Sequence, residues 1–172
     1  MMEKPRMLLV DDDSDLAETI QYECEQLGYR VSVVHDGQAA WDILKKREVI
    51  AVMSDVQMPG MSGNELINMA RSNGIMTPFV LMSGNHGSDA IFQALRGGAC
   101  DFIQKPIRPE VLRRVVPRAV DLGVRLVKID TLLQDIKKSG HPFEKMARDI
   151  ECLTKEIGQI TALGAQGEWE PI

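Results

Sequence analysis

The sequence predicts an α/β fold with five parallel strands, followed by a helical extension. Short apolar segments bounded by turn residues alternate five times with longer segments whose apolar residues recur at helical spacing. From Leu112 onward the apolar residues instead recur at alternating steps of three and four residues, as in a coiled coil. The chain of 172 residues is 44% hydrophobic and 26% charged, so it is long and apolar enough to bury the core of one such domain.

The strands and helices are predicted in a regular order. An apolar strand is expected at 7–10, and Ser14 is the expected N-cap of a helix that stops at Gly28. Alternation of this kind favours a parallel sheet with helices on both faces, and right-handed crossovers bring the carboxyl ends of all strands to one edge. The other strands are predicted near 31–34, 49–55, 78–82 and 101–104, and the other helices near 40–44, 64–72, 88–96 and from Pro109 onward.

The stretch VIAVMSDVQMPGMSG, at residues 49–63, places a carboxylate directly after a buried strand. Open α/β sheets bind their ligands at such positions. Taken alone, Asp55 would be interpreted as a capping or turn carboxylate. Polar side chains also follow other strands of the predicted sheet and should converge on Asp55, which is therefore predicted to accept a phosphoryl group. These side chains are Asp11, Asp12, Ser83 and Lys105.

The three carboxylates predict a magnesium site. Asp11, Asp12 and Asp55 offer hard oxygen ligands without histidine or cysteine, which suits Mg²⁺. Three like charges repel one another strongly unless a cation neutralises them. An acyl phosphate on Asp55 would add negative charge, which the cation and the Lys105 ammonium would balance, while the Ser83 hydroxyl could donate to a further oxygen.

Four segments, LLVDDD, MSDVQMPGMSG, VLMSG and GACDFIQKPI, resemble in order and spacing the receiver domain of two-component response regulators, over about residues 5–120. The resemblance implies a flavodoxin-like sheet of strand order 2-1-3-4-5. It implies that Asp55 accepts a phosphoryl group from a histidine kinase or a histidine phosphotransfer protein. It also implies that Asp12 and Asp55 bind Mg²⁺ through their side chains, Gln57 through its backbone carbonyl, and Asp11 through water.

The resemblance also assigns the residues that respond to phosphorylation. Ser83 corresponds to the switch hydroxyl, Lys105 to the lysine that pairs with the phosphoryl group, and Phe102 to the aromatic residue that rotates inward as Ser83 moves. The bond between Lys105 and Pro106 is expected to be cis, a state that only X-Pro bonds reach at low cost. The implied protein is a phosphoacceptor that signals through protein–protein contacts, not an enzyme that turns over an external substrate.

The helical extension carries two apolar seams, at 112–136 and 143–160. Folding the chain at about 139–140 would pair these seams, layer by layer, into an antiparallel hairpin. A kink or a fresh helix start is expected at Pro117, because proline inside a helix costs roughly 3 kcal/mol or more.

These patterns predict a receiver domain at 1–118, a helical hairpin or coiled coil at 119–163, and a disordered tail at 164–172. Two interpretations of the hairpin stay open. It could pack on its own receiver, or its apolar stripe could be covered by a second copy, which would make a homodimer, or by a helical partner protein.

Charge and composition limit which partners and which cellular compartment are expected for the protein. The net charge of -5 argues against unspecific nucleic-acid binding, which needs a basic face. The three cysteines lie far apart and form no disulfide framework, which favours reduced thiols. A signal peptide and a long apolar run are missing from the sequence, so a cytoplasmic protein that does not enter the membrane is expected.

Two other functions use the same residues. The first is an Mg²⁺-dependent phosphatase or hydrolase with an aspartate nucleophile. Such enzymes carry a second carboxylate two residues after the nucleophile, where this chain has Gln57. The second is a helical scaffold that works without phosphorylation. Its helical extension would not respond when Asp55 is modified or replaced.

Overall fold

The computed structural model describes residues 4–84 and 96–139. From the amino end to residue 83, strands and helices alternate as the sequence predicts. The strands are β1 (Arg6–Val10), β2 (Arg30–Val34), β3 (Ala51–Asp55), β4 (Phe79–Ser83) and β5 (Asp101–Gln104). The helices of the described residues are α1 (Ser14–Gln26), α2 (Gly37–Leu44), α3 (Gly63–Ser72) and α4 (Pro109–Ser139).

The five strands form one sheet in the order β2-β1-β3-β4-β5, and each neighbouring pair is parallel. The predicted fold class and strand order are therefore confirmed. Strands β3 and β4 are buried along their whole length, in agreement with apolar runs that show no alternation. All carboxyl ends lie along one edge, because all neighbouring strands are parallel and therefore run in the same direction.

Two apolar clusters cover the two faces of the sheet. Leu8 and Val10 of β1 pack in one cluster with residues of α2 and α3. Met7 and Leu9 pack in the other cluster, with residues of α1 and the first half of α4. Because successive side chains of a strand point to opposite faces, these clusters are the two layers of a doubly wound fold.

The prediction for Ser14 is wrong, and so is one of the two alternatives at Pro117, the fresh helix start, whereas the kink stays a prediction. Ser14 is not the N-cap of α1: the carboxylate of Asp13 accepts hydrogen bonds from the backbone N–H groups of Asp15 and Leu16, and Ser14 is the first helical residue. No fresh helix starts at Pro117, because α4 continues through it. The residues around Pro117 are buried against the sheet, and this packing offsets the cost of the missing backbone hydrogen bond.

The chain divides into two compact units, Met1–Val124 and Arg125–Ile172. In the first unit, α4 comes so close to the start of β3 that a Cβ atom on Gly123 would overlap the backbone carbonyl of Ile50. The predicted helix at 88–96, the second seam at 143–160 and the tail lie wholly or almost wholly outside the described residues. Among the residues that are described, no helix is long and apolar enough to cross a bilayer.

Candidate functional site

The carboxyl edge of the sheet gathers polar side chains from four strands. Asp11 directly follows β1, Asp55 ends β3, Ser83 ends β4 and Lys105 directly follows β5. The strand registers bring these four ends to the same level along the edge. Residues far apart in the sequence thus meet at one place, as the predicted topology requires.

Three carboxylates form an acidic cluster at this edge. Asp11, Asp12 and Asp55 each contribute one oxygen, and these oxygens lie within 4.8 Å of one another. Asp11 is fully buried and Asp55 is 7% exposed, whereas Asp12 is exposed. The cluster offers oxygen ligands alone and carries more negative charge than its surroundings balance, so its chemistry fits Mg²⁺.

The Lys105 ammonium joins two of the three carboxylates. Its Nζ lies 2.9 Å from Oδ2 of Asp11 and 2.5 Å from Oδ2 of Asp55. Burial by itself lowers the pKa of Lys105, but the hydrogen bonds to Asp55 and Asp11 outweigh burial, and the pKa of Lys105 is raised. Lys105 is therefore held as a cation between the two acidic groups.

The buried carboxyl of Asp11 binds its proton more tightly than an ordinary aspartate. Desolvation raises the pKa of Asp11, and the negative charge of Asp55 adds to this rise. Hydrogen bonds from Lys105 and from the backbone of Asp13 lower the pKa but do not cancel the effect of burial. One ammonium group thus does not neutralise the cluster fully, and a further cation would stabilise the ionised carboxylates.

Backbone groups fix the orientation of the Asp55 carboxylate. The N–H of Gln57 donates to Oδ1 of Asp55 over 3.0 Å. The following loop is held close to the strand, since a Cβ atom on Gly63 would overlap the carbonyl oxygen of Asp55. Ser62 and Glu65 then form a capping box that begins α3. The carboxylate therefore sits on a rigid strand end, and the glycine permits the close approach.

The residues assigned to the switch lie on β4 and β5, on the side of β3 away from β1. Ser83 is 1% exposed, and its backbone carbonyl accepts a hydrogen bond from the N–H of Lys105 over 2.8 Å. Phe102 lies in β5, is 7% exposed and belongs to the same apolar cluster as Phe79. The peptide bond between Lys105 and Pro106 is cis.

Sequence reasoning missed one residue at this edge. His35 directly follows β2, and its Nδ1 lies 2.9 Å from the backbone carbonyl oxygen of Asp11. The rule that gathered the other residues, that polar side chains after parallel strands meet at one edge, applies to His35 as well. It was overlooked because it belongs to none of the acidic or phosphate-binding motifs.

Residues 7–117 match the family model of the response regulator receiver domain. The chain belongs to this family. It contains the receiver domain of a two-component response regulator, and these comparisons do not favour the hydrolase or the scaffold.

Curated relatives of the receiver include bacterial transcriptional regulators. The transcriptional regulatory protein FixJ of Bradyrhizobium diazoefficiens is 28% identical over 136 residues, which are 79% of this chain and 66% of FixJ. The transcriptional regulatory protein YkoG of Bacillus subtilis is 31% identical over 164 residues, which cover 88% of this chain and 72% of YkoG.

A plant relative, the two-component response regulator ARR14 of Arabidopsis thaliana, is 31% identical over 157 residues, or 88% of this chain, but the match spans only 41% of ARR14. The chain thus spans less than two thirds of the length of several relatives that it matches. Their complete activities are therefore not transferred to it.

Solved receiver structures agree with the fold. The chemotaxis response regulator CheY4 of Vibrio cholerae has a TM-score of 0.64 at 25% identity, over 68% of this chain and 99% of CheY4. The receiver domain of the Francisella response regulator 1452 has a TM-score of 0.65 at 26% identity, over 72% of this chain and 99% of that domain.

Proposed function

We propose that Asp55 is the phosphoacceptor and that its phosphodonor is a histidine kinase or a histidine phosphotransfer protein. The observation that carries this proposal is the pairing of Asp55 Oδ2 with the Lys105 ammonium at the end of a buried strand. A carboxylate whose orientation is fixed and whose charge is partly neutralised repels an approaching anionic phosphoryl group less.

In the transfer, the phosphorus–nitrogen bond of a phosphohistidine breaks and a phosphorus–oxygen bond to Asp55 forms. The histidine leaves with the electron pair of the broken bond. The Lys105 ammonium, already in contact with Asp55, pairs with the phosphoryl oxygens as they arrive. The N–H of Gln57 keeps the carboxylate from rotating away. These residues supply positioning and charge, which are most of what this reaction requires of a protein.

We propose that the acidic cluster holds Mg²⁺, with Asp12, Asp55 and the backbone carbonyl of Gln57 as direct ligands and Asp11 acting through water. The close spacing of the three carboxylate oxygens supports this proposal. When bound, Mg²⁺ would supply the charge that neutralises the phosphoryl oxygens during transfer.

We propose that Ser83 and Phe102 convert phosphorylation into a change of surface. In this proposal the Ser83 hydroxyl donates to a phosphoryl group on Asp55, and the position of Ser83 at the end of the strand next to β3 supports it. The backbone hydrogen bond between Ser83 and Lys105 links its movement to β5, which carries Phe102. A rotation of Phe102 would then alter the surface formed by β5 and α4.

The proposed output is protein–protein interaction in the cytoplasm. We propose a receiver at 1–118 and a helical hairpin or coiled coil at 119–163, ending in a disordered tail at 164–172. The extension would form a homodimer or bind a helical partner. The net negative charge supports a protein rather than a nucleic acid as the partner. FixJ and YkoG are named as transcriptional regulators, so nucleic-acid binding by a longer protein is a separate question.

Incubation with phosphoramidate, followed by intact-mass spectrometry, tests the phosphoacceptor. The wild-type chain should gain one phosphoryl group with Mg²⁺ and none after EDTA treatment. Asp55→Asn should gain none, because the amide is not a competent nucleophile. Asp15→Asn, which changes a carboxylate on the exposed first turn of α1, is the matched control and should react like wild type. Phosphorylation of Asp55→Asn would contradict the proposal.

Light scattering after size-exclusion chromatography tests the output. Beryllofluoride with Mg²⁺ mimics the phosphoryl group, and we expect it to raise the mass of the wild-type protein but not of Asp55→Asn. A dimer whose mass never changes would mean a fixed association module, with the signal read on the receiver surface. A monomer under all conditions would contradict self-association and leave a helical partner as the proposed target.

A further inference from the structure

Every polar group of Asp11, in its backbone and in its side chain, makes a hydrogen bond. Its N–H donates to the carbonyl of Val34 over 3.2 Å, and its carbonyl oxygen accepts from His35 Nδ1 over 2.9 Å. Its Oδ1 accepts from the N–H of Asp13 over 3.0 Å, and its Oδ2 accepts from Lys105 Nζ over 2.9 Å. His35 is the only one of these four partners that reaches the backbone of Asp11 through a side chain.

His35 extends the pairing of β1 and β2 beyond the end of their ladder. The register of the two strands ends at Val10 and Val34. One residue later, the imidazole takes the place that a strand N–H would occupy opposite the Asp11 carbonyl. Because a carbonyl oxygen only accepts, the proton of this hydrogen bond must lie on Nδ1.

This hydrogen bond controls a peptide unit that joins two proposed metal-site residues. The carbonyl of Asp11 belongs to the peptide plane that continues to the nitrogen of Asp12. Since that plane is rigid, fixing its oxygen also fixes the nitrogen of Asp12 and narrows the directions open to its side chain. Asp12 is exposed and has no burial to hold it, so its placement depends on the backbone beneath it.

We propose that His35 is a positioning residue for the acidic site: by holding the Asp11–Asp12 peptide, it sets the geometry of the carboxylates and so the affinity for Mg²⁺. This inference rests on the proposed function, in which those carboxylates bind the ion. Residues that orient metal ligands without touching the metal commonly change its affinity on mutation, because misaligned ligands must be reordered when the ion binds.

The test measures Mg²⁺ binding by titration calorimetry on the unphosphorylated chain. His35→Ala removes the donor, and we expect its Kd for Mg²⁺ to rise about tenfold. His35→Asn places an amide N–H near the position of Nδ1, and it should recover most of the lost affinity. His35 is exposed, so neither change opens a cavity in the core.

A matched control is a side-chain hydrogen bond that joins the start of β1 to the middle of β2. There, Arg6 Nε donates to Ser32 Oγ over 3.2 Å. Ser32→Ala removes this hydrogen bond between β1 and β2 and should lower stability about as much as His35→Ala does. It should leave the Mg²⁺ Kd unchanged, because this hydrogen bond involves neither the Asp11 carbonyl nor a carboxylate of the acidic cluster. Urea unfolding of every variant separates an effect on stability from an effect on the ion.

The outcomes separate the inference from the proposed function. No Mg²⁺ binding by the wild type would overturn the proposed metal site itself. Wild-type affinity in His35→Ala would overturn the role of His35 and leave the metal site standing. Equal losses in His35→Ala and His35→Asn, or a similar loss in Ser32→Ala, would also overturn that role. If His35→Ala does not fold, His35→Gln replaces it. Its amide is one methylene further from the backbone than that of asparagine, and the same loss of Mg²⁺ affinity is expected.

Discussion

The two halves of α4 share one sequence pattern and differ in burial. Apolar residues recur at the same alternating steps from Leu112 to Ile136. In the first half, Leu112, Val115 and Ala119 are each 2% exposed. In the second half, Leu126, Ile129 and Leu133 are only partly buried. Spacing therefore tells which residues share a helix face, but it does not tell what covers that face.

The first half is buried because it lies in the core cluster of one sheet face. Val116 and Ala119 pack there with Met7 and Leu9 of β1 and with Cys24 of α1. The second half belongs to a separate compact unit, in which Val127 is 52% exposed and Leu132 is 37% exposed. Substitutions in the two halves should therefore lower the free energy of unfolding by different amounts, although the two halves have the same apolar spacing.

The largest expected difference comes from one pair of leucines on this seam. Leu112→Ala should lower the free energy of unfolding by about 3 kcal/mol, because it leaves a cavity in a packed cluster. Leu133→Ala should cost under about 1 kcal/mol, because its side chain is partly exposed and lies outside both core clusters. Urea unfolding followed by circular dichroism measures both. Equal losses of unfolding free energy would mean that an apolar partner covers the second half of α4 fully.

A smaller effect is expected at the closest approach of α4 to the sheet. Gly123→Ala should lower the free energy of unfolding by about 2 kcal/mol, because the new methyl group meets the backbone carbonyl of Ile50. In an open helix the same change would stabilise by about 1 kcal/mol. Thr131→Ala, at an exposed position of the second half, is the control and should stay within about 0.5 kcal/mol of wild type. A more stable Gly123→Ala would refute the close contact.

The smallest effect concerns the thiol beneath the first half of α4. Burial raises the pKa of Cys24 to about 12 from an ordinary value of 9.0, with smaller contributions from Glu23 and Glu25. The folded protein thus keeps the thiol neutral. This contribution to stability is complete below about pH 9 and is lost as the pH rises towards the folded pKa, because the unfolded chain ionises first.

Cys24→Ala isolates this contribution. Between pH 7.5 and pH 10, the wild type should lose about 1 kcal/mol more unfolding free energy than Cys24→Ala does. Chemical unfolding at the two pH values measures the difference. A parallel decline of both proteins would show that the thiol is not shielded by the helix.

More of the acidic site than of α4 could be predicted from the sequence. Asp11 and Lys105 lie 94 positions apart in sequence, yet strand ends in a parallel α/β fold must share one edge. The sequence could not predict that Lys105 touches two carboxylates at once, since that depends on the separation of strand ends to within an ångström. It also gave no sign that His35 holds the Asp11 carbonyl, because the imidazole acts on a backbone atom and leaves no motif.

The N-cap of α1 and the continuity of α4 depend on interactions that the apolar pattern of the sequence does not contain. Both Asp13 and Ser14 are good caps, and the structure uses Asp13 because its backbone is extended and its carboxylate reaches two N–H groups. Pro117 is tolerated inside α4, where buried neighbours outweigh a local penalty.

The order of the described strands and helices, the parallel sheet and the five polar residues at its carboxyl edge could all be predicted from the sequence. These follow from periodicity and chain direction, which are local or topological properties. Three features emerge only in the folded domain. They are the burial of the first half of α4, the contact of Lys105 with two carboxylates, and the hydrogen bond from His35 to the Asp11 carbonyl. Those outcomes depend on distances between side chains of different strands and helices, which the packing of the whole domain sets.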